Sequence, residues 1–394
     1  MIQIKTMNAI SPVYEESLPP SAYAVGPEEA NPQAILVRSA DLHAAEIPDS
    51  LLCVARAGAG YNNLPIDVYA RKGVVAFNTP GANANAVKEL TVAGLLLASR
   101  KIAQGIDWCQ TLAEKGEAIP ALVEKGKSQF AGPELMGKTL GVMGLGAVGR
   151  LVANAGVALG MRVLGHDPYI SVENAWQLSR EVEHSTDLDQ MLSQCDYLSV
   201  HVPLTPDSRN LFRREIFEKM KPGAALLNFS RGALVNDADV KAALSQGKLR
   251  AYVTDFPNAD LVGTPGVVCI PHLGASTPES EENCVRMASR QIRDYLENGS
   301  IVHSVNYPDC PLGAVTRPRL LVLHQNIPNV LQSILGLVTQ SGENLNIDNM
   351  LNKSRGDYAC TALDLDHAPS QALVEKIAQL ATTYRVRLLK GPSD

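Results

Sequence analysis

Three glycines have the spacing expected of a loop that binds the phosphates of a dinucleotide. Gly144, Gly146 and Gly149 follow the apolar run 138–143 and precede a helical stretch that begins at Arg150. In such a loop the first glycine permits a tight turn, the second lets the backbone approach a pyrophosphate, and the third lets helix and strand pack closely. The helix start adds unpaired N–H groups and the positive end of the helix dipole. The spacing therefore predicts a dinucleotide site, and a flexible turn is the alternative.

An acidic residue stands where such a site needs one. Asp167 ends the next apolar run, 162–166. Its carboxylate is expected to accept hydrogen bonds from the adenosine ribose and to repel a 2′-phosphate. This favours NAD over NADP as the cofactor, and a surface aspartate is the alternative.

Two side chains further along the chain have types suited to acid–base chemistry on a carboxylate substrate. Arg231 follows the apolar run 224–227, and its planar guanidinium suits a carboxylate. His272 follows the run 267–270 and precedes a helix, so its ring can face a crevice as a general base. An acid close in sequence would fix the imidazole tautomer and favour its charged form. The alternatives are a surface arginine at a turn and a structural histidine.

The elements that must position these residues alternate between short strands and helices, which predicts parallel α/β architecture. Expected strands lie at 34–38, 52–56, 74–77, 139–143, 162–166, 197–201, 224–229, 251–255 and 267–270. Long helices are expected at 85–103 and 280–298, with a polar stretch at 104–135 between them. After a linker at Pro308, Pro311 and Pro318, the pattern changes to βαββαβ. Its strands are expected at 319–324, 345–352, 358–366 and 384–389, and its helices at 328–341 and 370–383.

The predicted fold class is therefore α/β with two Rossmann-like, doubly wound parallel-sheet domains and a C-terminal βαββαβ domain. The substrate-binding domain is expected at 1–96, completed by 285–312, which makes it discontinuous. The dinucleotide-binding domain is expected at 97–284, and the C-terminal domain at 318–394. The sequence assigns no role to the first 33 residues.

Composition argues against several classes of partner. The 394 residues carry 35 Lys and Arg against 41 Asp and Glu, a net charge of −6, without blocks of like charge. This argues against nucleic acid or an anionic membrane as the main partner. The seven cysteines are scattered without metal-site spacing, so we expect no metal and reduced thiols. No signal peptide is read at the N-terminus, and the apolar runs are too short to span a bilayer, so a cytoplasmic protein is expected.

Taken in order, the motifs resemble those of the D-2-hydroxyacid dehydrogenase family. They are the glycine loop 144–149, Asp167, the segment 201–205 (HVPLT), the segment 230–235 (SRGALV) and the segment 271–277 (PHLGAST). The resemblance extends from about residue 34 to about residue 390. The C-terminal βαββαβ unit, with the segment 324–328 (HQNIP), is similar to an ACT domain.

The resemblance implies the following site residues. Cofactor contacts are expected at Gly144, Gly146, Ala147, Val148, Gly149, Asp167, His201, Val202, Pro203, Phe229, Ser230, Arg231, Asp255, His272, Gly274 and Ala275. Substrate contacts are expected at Arg38, Ser39, Arg56, Ala57, Gly58, Arg231 and His272.

The catalytic residues implied by the family are an arginine, a histidine and an acid. Arg231 would hold the substrate carboxylate and polarise the C2 oxygen, and His272 would take the hydroxyl proton as hydride leaves for NAD. The family acid is usually glutamate, which the segment between Arg231 and His272 lacks. Asp260 lies closest to the expected position, and Asp255 is expected to meet the nicotinamide end of the cofactor. An aspartate is one methylene shorter, and misplacing a catalytic group by about 1 Å can cost on the order of a hundredfold in rate.

Two arginines beyond Arg231 indicate a substrate with a second anionic group, because Arg38 and Arg56 each end a predicted strand. Each could instead cap its strand end through a surface ion pair. With the ACT-like domain, the resemblance implies NAD-dependent oxidation of D-3-phosphoglycerate to 3-phosphohydroxypyruvate, in serine biosynthesis. Alternatives are the same chemistry on an unphosphorylated acid, such as glycerate/hydroxypyruvate or D-lactate, and a non-catalytic NAD-sensing scaffold like the family's transcriptional corepressors.

The C-terminal unit raises the question of regulation. His324, Asn326 and Asn346 match positions that bind L-serine in regulated members of the family. Pro328-Asn329 replaces the usual Pro-Gly, and asparagine adds bulk where a ligand would approach the helix start. A domain that only mediates association would look the same in sequence. The resemblance also implies a homodimer or a homotetramer.

Overall fold

The computed structural model describes residues 1–391, and the chain forms two compact units. One unit combines residues 1–82 with the segment from Glu281 onward, and the other spans Asn83–Ser280. The chain passes between the units at 82/83 and at 280/281. The sequence, by contrast, predicted these domain boundaries at 96/97 and 284/285. The C-terminal residues belong to the first unit in this division.

The first unit contains a five-stranded parallel sheet. Its strands are β1 (Ile2–Met7), β2 (Tyr23–Gly26), β3 (Ala34–Val37), β4 (Cys53–Arg56) and β5 (Val75–Phe77), in the order β2-β1-β3-β4-β5, with helix α1 (Ile66–Arg71) before β5. The strands at β3, β4 and β5 were predicted, and β1 and β2 were not. The alternation of Ile2, Ile4 and Thr6 with polar or partly exposed neighbours is a weak strand pattern that could have indicated β1.

The second unit is built around a seven-stranded parallel sheet. Its first helices are α2 (Ala84–Ser99), α3 (Ile102–Gln110) and α4 (Ile119–Gly126), so the predicted polar stretch is partly helical. The seven strands of the sheet are β6 (Thr139–Met143), β7 (Arg162–His166), β8 (Val182–His184), β9 (Tyr197–Val200), β10 (Ala224–Asn228), β11 (Leu249–Thr254) and β12 (Val267–Cys269). The helices between them are α5 (Gly149–Ala158), α6 (Val172–Trp176), α7 (Leu188–Gln194), α8 (Arg214–Lys219) and α9 (Asp237–Ser245). Helix α10 (Pro278–Asn298) begins at the end of this unit and continues in the first. Short 3₁₀ segments lie at Pro12–Glu16, Ala113–Ala118, Lys127–Phe130 and Gly232–Leu234.

The order of this sheet decides where a ligand can bind. The strands follow the order β12-β11-β10-β9-β6-β7-β8, so the chain reverses direction across the sheet between β6 and β9. In open parallel sheets, ligands bind beyond the carboxyl ends of the strands at such a switch point. The glycine loop follows β6 and His201 follows β9, and both therefore lie at this point.

The C-terminal segment folds as the predicted βαββαβ unit with an antiparallel sheet. Its elements are β13 (Arg319–Gln325), α11 (Val330–Thr339), β14 (Ile347–Arg355), β15 (Tyr358–Leu365), α12 (Gln371–Ala378) and β16 (Thr383–Leu389), in the strand order β14-β15-β13-β16. Leu320 and Val322 of β13 pack against Ile334 of α11 and Ile377 of α12. This apolar cluster holds both helices on one face of the sheet.

The opposite face of the C-terminal sheet is also buried, within the first unit. Leu321 and Leu323 belong to the same apolar cluster as Ile292 of α10 and Phe77 of β5. Because strand side chains alternate between faces, β13 is apolar on both sides, as its continuous run of leucine and valine requires. The C-terminal sheet is therefore a middle layer of the first unit.

Arginine side chains fix this buried face. Arg387 of β16 donates hydrogen bonds to the carbonyl oxygens of Tyr295 and Leu296, each at 2.8 Å, at the end of α10. Its guanidinium carbon also lies 4.6 Å from the centre of the Tyr295 ring. Arg319 of β13 donates to the carbonyl oxygen of Asn298 at 2.9 Å. The Tyr295 carbonyl also accepts a hydrogen bond from the Gly299 N–H at 3.0 Å, so the arginines add further donors to the carbonyl groups at the end of α10.

The predicted fold class, with parallel-sheet α/β units and a separate antiparallel C-terminal sheet, is confirmed. The identity of the C-terminal unit as an ACT domain stays a prediction. Within residues 1–391, no helix is both long and apolar enough to cross a membrane.

Candidate functional site

The glycine loop has the close contacts that its sequence pattern predicts. Gly144 has a φ of +87°, and a Cβ there would lie 2.6 Å from the carbonyl oxygen of His201. A Cβ on Gly149 would lie 1.8 Å from the carbonyl oxygen of Gly144, so a larger residue would force the loop open. A Cβ on Gly146 would meet nothing within 4 Å. Gly144 and Gly149 therefore shape the loop, and Gly146 leaves its outer surface open.

The start of helix α5 adds donors to this loop. The helix begins at Gly149, and the preceding residue, Val148, provides no side-chain cap. The Arg150 N–H donates to the carbonyl oxygen of Gly146 at 3.2 Å. The other N–H groups at such a helix start are donors of the kind that phosphate oxygens use. Ala147 and Val148 belong to the same turn.

Asp167 is fixed beside the loop, directly after β7. Its Oδ2 accepts a hydrogen bond from the Leu145 N–H at 2.8 Å, and its Oδ1 accepts one from the Tyr169 N–H at 2.9 Å. A carboxylate has about four acceptor positions, so two bonds leave capacity for ribose hydroxyls. The side chain that was predicted to select NAD is therefore held at the edge of the glycine loop.

The segment after β9 forms the other wall of the switch point. The His201 ring places Nε2 2.8 Å from the Ser199 hydroxyl, and burial lowers the pKa of His201 to about 4. The ring is therefore neutral at physiological pH. Val202 packs near Gly144, since a Cβ on that glycine would come within 3.1 Å of its side chain. Pro203 continues the segment, and its carbonyl accepts a hydrogen bond from the Ser208 hydroxyl at 2.7 Å.

Arg231 is presented by a tightly bonded turn after β10. The Asn228 side chain donates to the carbonyl oxygen of Arg231 at 2.9 Å, and the Ser230 hydroxyl donates to that of Val200 at 2.6 Å. Phe229 is buried against Gly94 of α2, where a Cβ would lie 2.8 Å from the phenyl ring. Arg231 is exposed, and its guanidinium donates to the carbonyl oxygen of Ser230 at 2.6 Å. A rigid turn thus carries a guanidinium that a ligand can reach.

His272 lies beside a cavity at the carboxyl edge of the same sheet. Its ring is exposed and packs edge-on against Phe256, with 5.0 Å between the ring centres. A cavity of about 590 Å³ is lined by both residues and by Asp255, and also by Asn236, Asp237 and Asn258. The histidine therefore faces a polar space and not a packed core, as the sequence predicted.

Asp255 is the acid that the structure brings together with His272. It is 1% exposed, and Oδ1 is buried without a hydrogen bond from residues 1–391. Burial raises the pKa of Asp255, while the nearby charges of His272 and Arg231 and a hydrogen bond from the Gly274 N–H lower it. A buried acceptor without a partner is costly unless a ligand supplies a donor. Gly274 lies beside this carboxylate, because a Cβ there would be 3.5 Å from Asp255 Oδ2, an ordinary contact distance.

Asp260 lies elsewhere in the same loop. Its carboxylate is exposed and lies 3.3 Å from Lys241 Nζ. Asn258 causes this arrangement, since its Oδ1 accepts hydrogen bonds from the N–H groups of Asp260 and Leu261 at 2.9 and 3.1 Å. The resulting turn directs Asp260 toward α9, so the structure pairs it with Lys241 and not with His272.

In the first unit, the predicted substrate residues form a small cluster at the ends of β3 and β4. Arg56 donates from Nε to the carbonyl oxygen of Arg38 at 3.0 Å. A Cβ on Gly58 would lie 2.0 Å from Arg56 Nη1, so only glycine lets the guanidinium fold over the backbone here. Ala57 is buried, and the N–H of exposed Ser39 donates to Asn8 Oδ1 at 3.0 Å. One member of this cluster was not predicted from the sequence: the carboxylate of Glu281 in α10 lies 2.5 Å from Nη2 of Arg38.

The predicted effector residues are engaged within the C-terminal sheet. His324 is buried, with Nδ1 2.8 Å from the carbonyl oxygen of Gln325 and Nε2 2.8 Å from the Thr361 hydroxyl. The Asn326 side chain donates to the carbonyl oxygen of Gly356, also at 2.8 Å. In the loop before β14, the Asn346 side chain is also hydrogen-bonded, because it donates to the Asp348 carboxylate at 2.9 Å. Each polar side chain thus has a partner within the sheet or its loops.

Most of the second unit matches a known family of dehydrogenases. Residues 92–274 match the family described as "D-isomer specific 2-hydroxyacid dehydrogenase, NAD binding domain". The glycine loop, Asp167, Arg231 and His272 all lie within the matched segment. The second unit therefore contains an NAD-binding domain of the D-2-hydroxyacid dehydrogenase type.

Relatives of known name carry the comparison one step further. The chain is 33% identical over 299 residues to D-3-phosphoglycerate dehydrogenase of Methanocaldococcus jannaschii. The aligned region covers 74% of this chain and 54% of the relative. It is 36% identical over 282 residues to the protein of the same name from Mycobacterium leprae, covering 69% and 51%. The chain thus spans about half the length of the curated relatives it matches.

Solved structures share the fold at lower identity. The NAD⁺-bound 3-phosphoglycerate dehydrogenase of Entamoeba histolytica aligns with a TM-score of 0.55 at 23% identity, over 77% of this chain and 98% of that one. The apo D-mandelate dehydrogenase of Rhodotorula graminis aligns with a TM-score of 0.64 at 21% identity, over 79% and 99%. These likenesses concern the fold alone.

Proposed function

We propose that this chain oxidises D-3-phosphoglycerate to 3-phosphohydroxypyruvate with NAD, the first step of phosphorylated serine biosynthesis. The proposal is supported mainly by the position of Arg231 and His272, which lie at the carboxyl edge of an NAD-binding sheet. The curated relatives that the chain matches are named D-3-phosphoglycerate dehydrogenase.

The residues of the second unit fit NAD. Gly146 leaves the loop surface open to a pyrophosphate, and Asp167 retains acceptor capacity for the ribose. Asp255 Oδ1 is a buried acceptor suited to an amide donor such as a carboxamide. When bound, NAD supplies the hydride acceptor.

The chain's own side chains would perform the rest of the reaction. The exposed guanidinium of Arg231 would hold the substrate carboxylate through paired N–H donors. His272 would take the proton of the C2 hydroxyl on a ring nitrogen, a role that general acid–base catalysis makes worth about 10²–10⁴-fold in rate. The nearby Asp255 carboxylate would favour the protonated imidazole that results. We therefore assign to Asp255 the electrostatic role that the resemblance first gave to Asp260.

The choice of a phosphorylated substrate is supported by the first unit. Arg38 and Arg56 lie together at two adjacent strand ends, with the backbone of Ala57 and Gly58 between them and Ser39 beside them. Two guanidinium groups suit a phosphate better than the methyl or hydroxyl group of D-lactate or glycerate.

The test is the rate of NADH formation with D-3-phosphoglycerate, glycerate and D-lactate. We expect turnover that prefers the phosphorylated acid, and a large increase of its KM in Arg38→Met and Arg56→Met without a change in NAD affinity. Turnover of only an unphosphorylated acid would refute the substrate assignment and keep the chemistry. NAD binding without turnover of any of the three would favour the scaffold alternative.

Two further properties remain proposals carried by the family resemblance. One is assembly as a homodimer or homotetramer, which the molar mass in solution would test. The other is inhibition by L-serine at His324, Asn326 and Asn346. The internal hydrogen bonds of these side chains mean that serine would have to exchange for existing partners. Titration of the activity with serine decides between regulation and a purely structural domain.

A further inference from the structure

An acidic side chain stands directly against one of the two proposed phosphate-binding arginines. Glu281 lies in the first turns of α10, and its Oε1 is 2.5 Å from Nη2 of Arg38. The two side chains are 40% and 42% exposed, so the pair is open to solvent and to solutes. It joins the end of β3 to a helix far away in sequence, and therefore fixes where the Arg38 guanidinium points.

The pair belongs to a larger charged cluster within the first unit. Arg56 is tied to the main chain of Arg38 by the hydrogen bond to its carbonyl oxygen. Cys284, one turn along α10 from Glu281, is buried beside these groups. Burial raises the pKa of the Cys284 thiol, and the charges of Arg56, Arg38 and Glu281 all act on it. Two guanidinium groups and the Glu281 carboxylate thus lie close to the Cys284 thiol.

The position of the carboxylate has a chemical consequence. Glu281 occupies an Nη donor of Arg38, which is the kind of donor that a phosphate oxygen uses. A phosphate dianion and a carboxylate repel each other at such distances, and a phosphate that approaches Nη2 of Arg38 competes with Glu281 for this donor. Binding of an anionic ligand there is therefore opposed by Glu281, whereas an uncharged group would leave the ion pair intact.

We propose that Glu281 is a displaceable counter-ion of Arg38, which competes with the substrate phosphate and so sets the affinity and selectivity of this cluster for dianionic ligands. The proposal rests on the proposed function for its substrate. Exposed ion pairs typically contribute about 0.2–1 kcal/mol, and the upper part of this range, about 0.4–1 kcal/mol, corresponds to phosphate binding that is about two- to fivefold tighter once Arg38 is released.

The experiment compares Glu281→Gln with a matched control, Glu282→Gln. Glu282 is the next residue of α10, and its carboxylate pairs with Arg286 at 3.2 Å. The control removes the same charge at the same helix end without touching Arg38. The readouts are the KM for D-3-phosphoglycerate and, independently of turnover, the Kd of inorganic phosphate by calorimetry at saturating NAD. Melting temperatures of both variants report on the fold.

We expect Glu281→Gln to lower both constants about two- to fivefold and Glu282→Gln to leave them unchanged. Adding Glu281→Gln to Arg38→Met should give no further gain, because the donor for which the carboxylate competes is gone. Equal constants in both glutamine variants would overturn the proposal. Weaker phosphate binding by Glu281→Gln would also overturn it, since Glu281 would then position Arg38 for the ligand.

The phosphate measurement separates this proposal from the proposed function. Tighter phosphate binding by Glu281→Gln, in a chain that does not oxidise D-3-phosphoglycerate, would uphold the counter-ion and refute the substrate. Turnover of D-3-phosphoglycerate by the wild type, with equal phosphate affinity in the two glutamine variants, would uphold the substrate and refute the counter-ion role of Glu281. Absence of phosphate binding to the wild type and to Glu281→Gln would refute the counter-ion role.

Discussion

The carboxyl edge of the seven-stranded sheet and the C-terminal four-stranded sheet differ in the hydrogen bonding of Asp255 and His324, one buried side chain in each region. At the first, Asp255 Oδ1 is buried without a partner in the described chain, and the surface of Gly146 is open. In the second, both ring nitrogens of His324 and the guanidinium of Arg387 are hydrogen-bonded within the first unit.

The difference separates a surface prepared for a ligand from one prepared for packing. Unpaired buried acceptors are costly and persist where a ligand completes them, whereas satisfied networks mainly stabilise a unique fold. We therefore expect changes at the first region to affect ligand binding, and changes at the second to affect stability.

The sharpest contrast lies within the glycine loop, where two alanine substitutions should act differently. Gly149→Ala places a Cβ 1.8 Å from the Gly144 carbonyl, so it should disrupt the loop, lower the melting temperature and abolish NAD binding. Gly146→Ala meets nothing within 4 Å and should fold normally, yet lose about 100-fold or more in NAD affinity. Calorimetry measures the NAD affinity of each variant, and thermal melting shows whether its fold is intact. Unchanged NAD binding by Gly146→Ala would show that the pyrophosphate does not approach this residue.

In the C-terminal sheet, Arg387→Met should destabilise the first unit without affecting NAD. The substitution removes two hydrogen bonds to helix-end carbonyls and the stacking on Tyr295, together about 2–4 kcal/mol. Urea unfolding measures the loss, and NAD calorimetry provides the control. A normal unfolding midpoint would mean that apolar packing alone holds the sheet.

A smaller effect is expected at Asp255, with opposite signs for stability and binding. The pKa of Asp255 is raised by burial, so the ionised carboxylate destabilises the fold at neutral pH, and Asp255→Asn should raise the melting temperature. This gain should fade as the pH falls through the raised pKa toward 3.8, the ordinary value of the carboxyl group, because the wild-type side chain then becomes neutral. NAD affinity should fall on the order of tenfold.

The matched control for this change is Asp260→Asn. Asp260 is exposed and paired with Lys241, so its loss should alter neither melting temperature nor NAD affinity. A large fall of kcat in Asp260→Asn, with Asp255→Asn near normal, would instead restore Asp260 as the acid that orients His272.

Much of this architecture could be predicted from local patterns. Six of the seven strands of the second unit were predicted from short apolar runs that alternate with helical stretches, and β8 was not. A helix was also predicted at 280–298, where α10 lies. The glycine loop was recognisable because its spacing is dictated by backbone contacts. These features depend on neighbours close in sequence.

The missed features depend on residues that are distant in sequence. The contact between Arg38 and Glu281 joins positions 243 apart, and no spacing rule links them. Asp260 was selected by counting along the chain, but the turn around Asn258 directs its side chain to Lys241. The docking of the C-terminal sheet was signalled only by the unbroken apolar run 320–323, which indicates a strand buried on both faces but not its partner.

The central claim is that this chain is a dehydrogenase in which His272 moves the substrate proton. The most direct test compares NADH formation from D-3-phosphoglycerate by the wild type and by His272→Gln, at NAD concentrations shown by calorimetry to saturate both. We predict turnover by the wild type and a kcat lower by about 10²–10⁴-fold in the variant, with the same NAD affinity. Equal turnover by the two proteins would contradict the account.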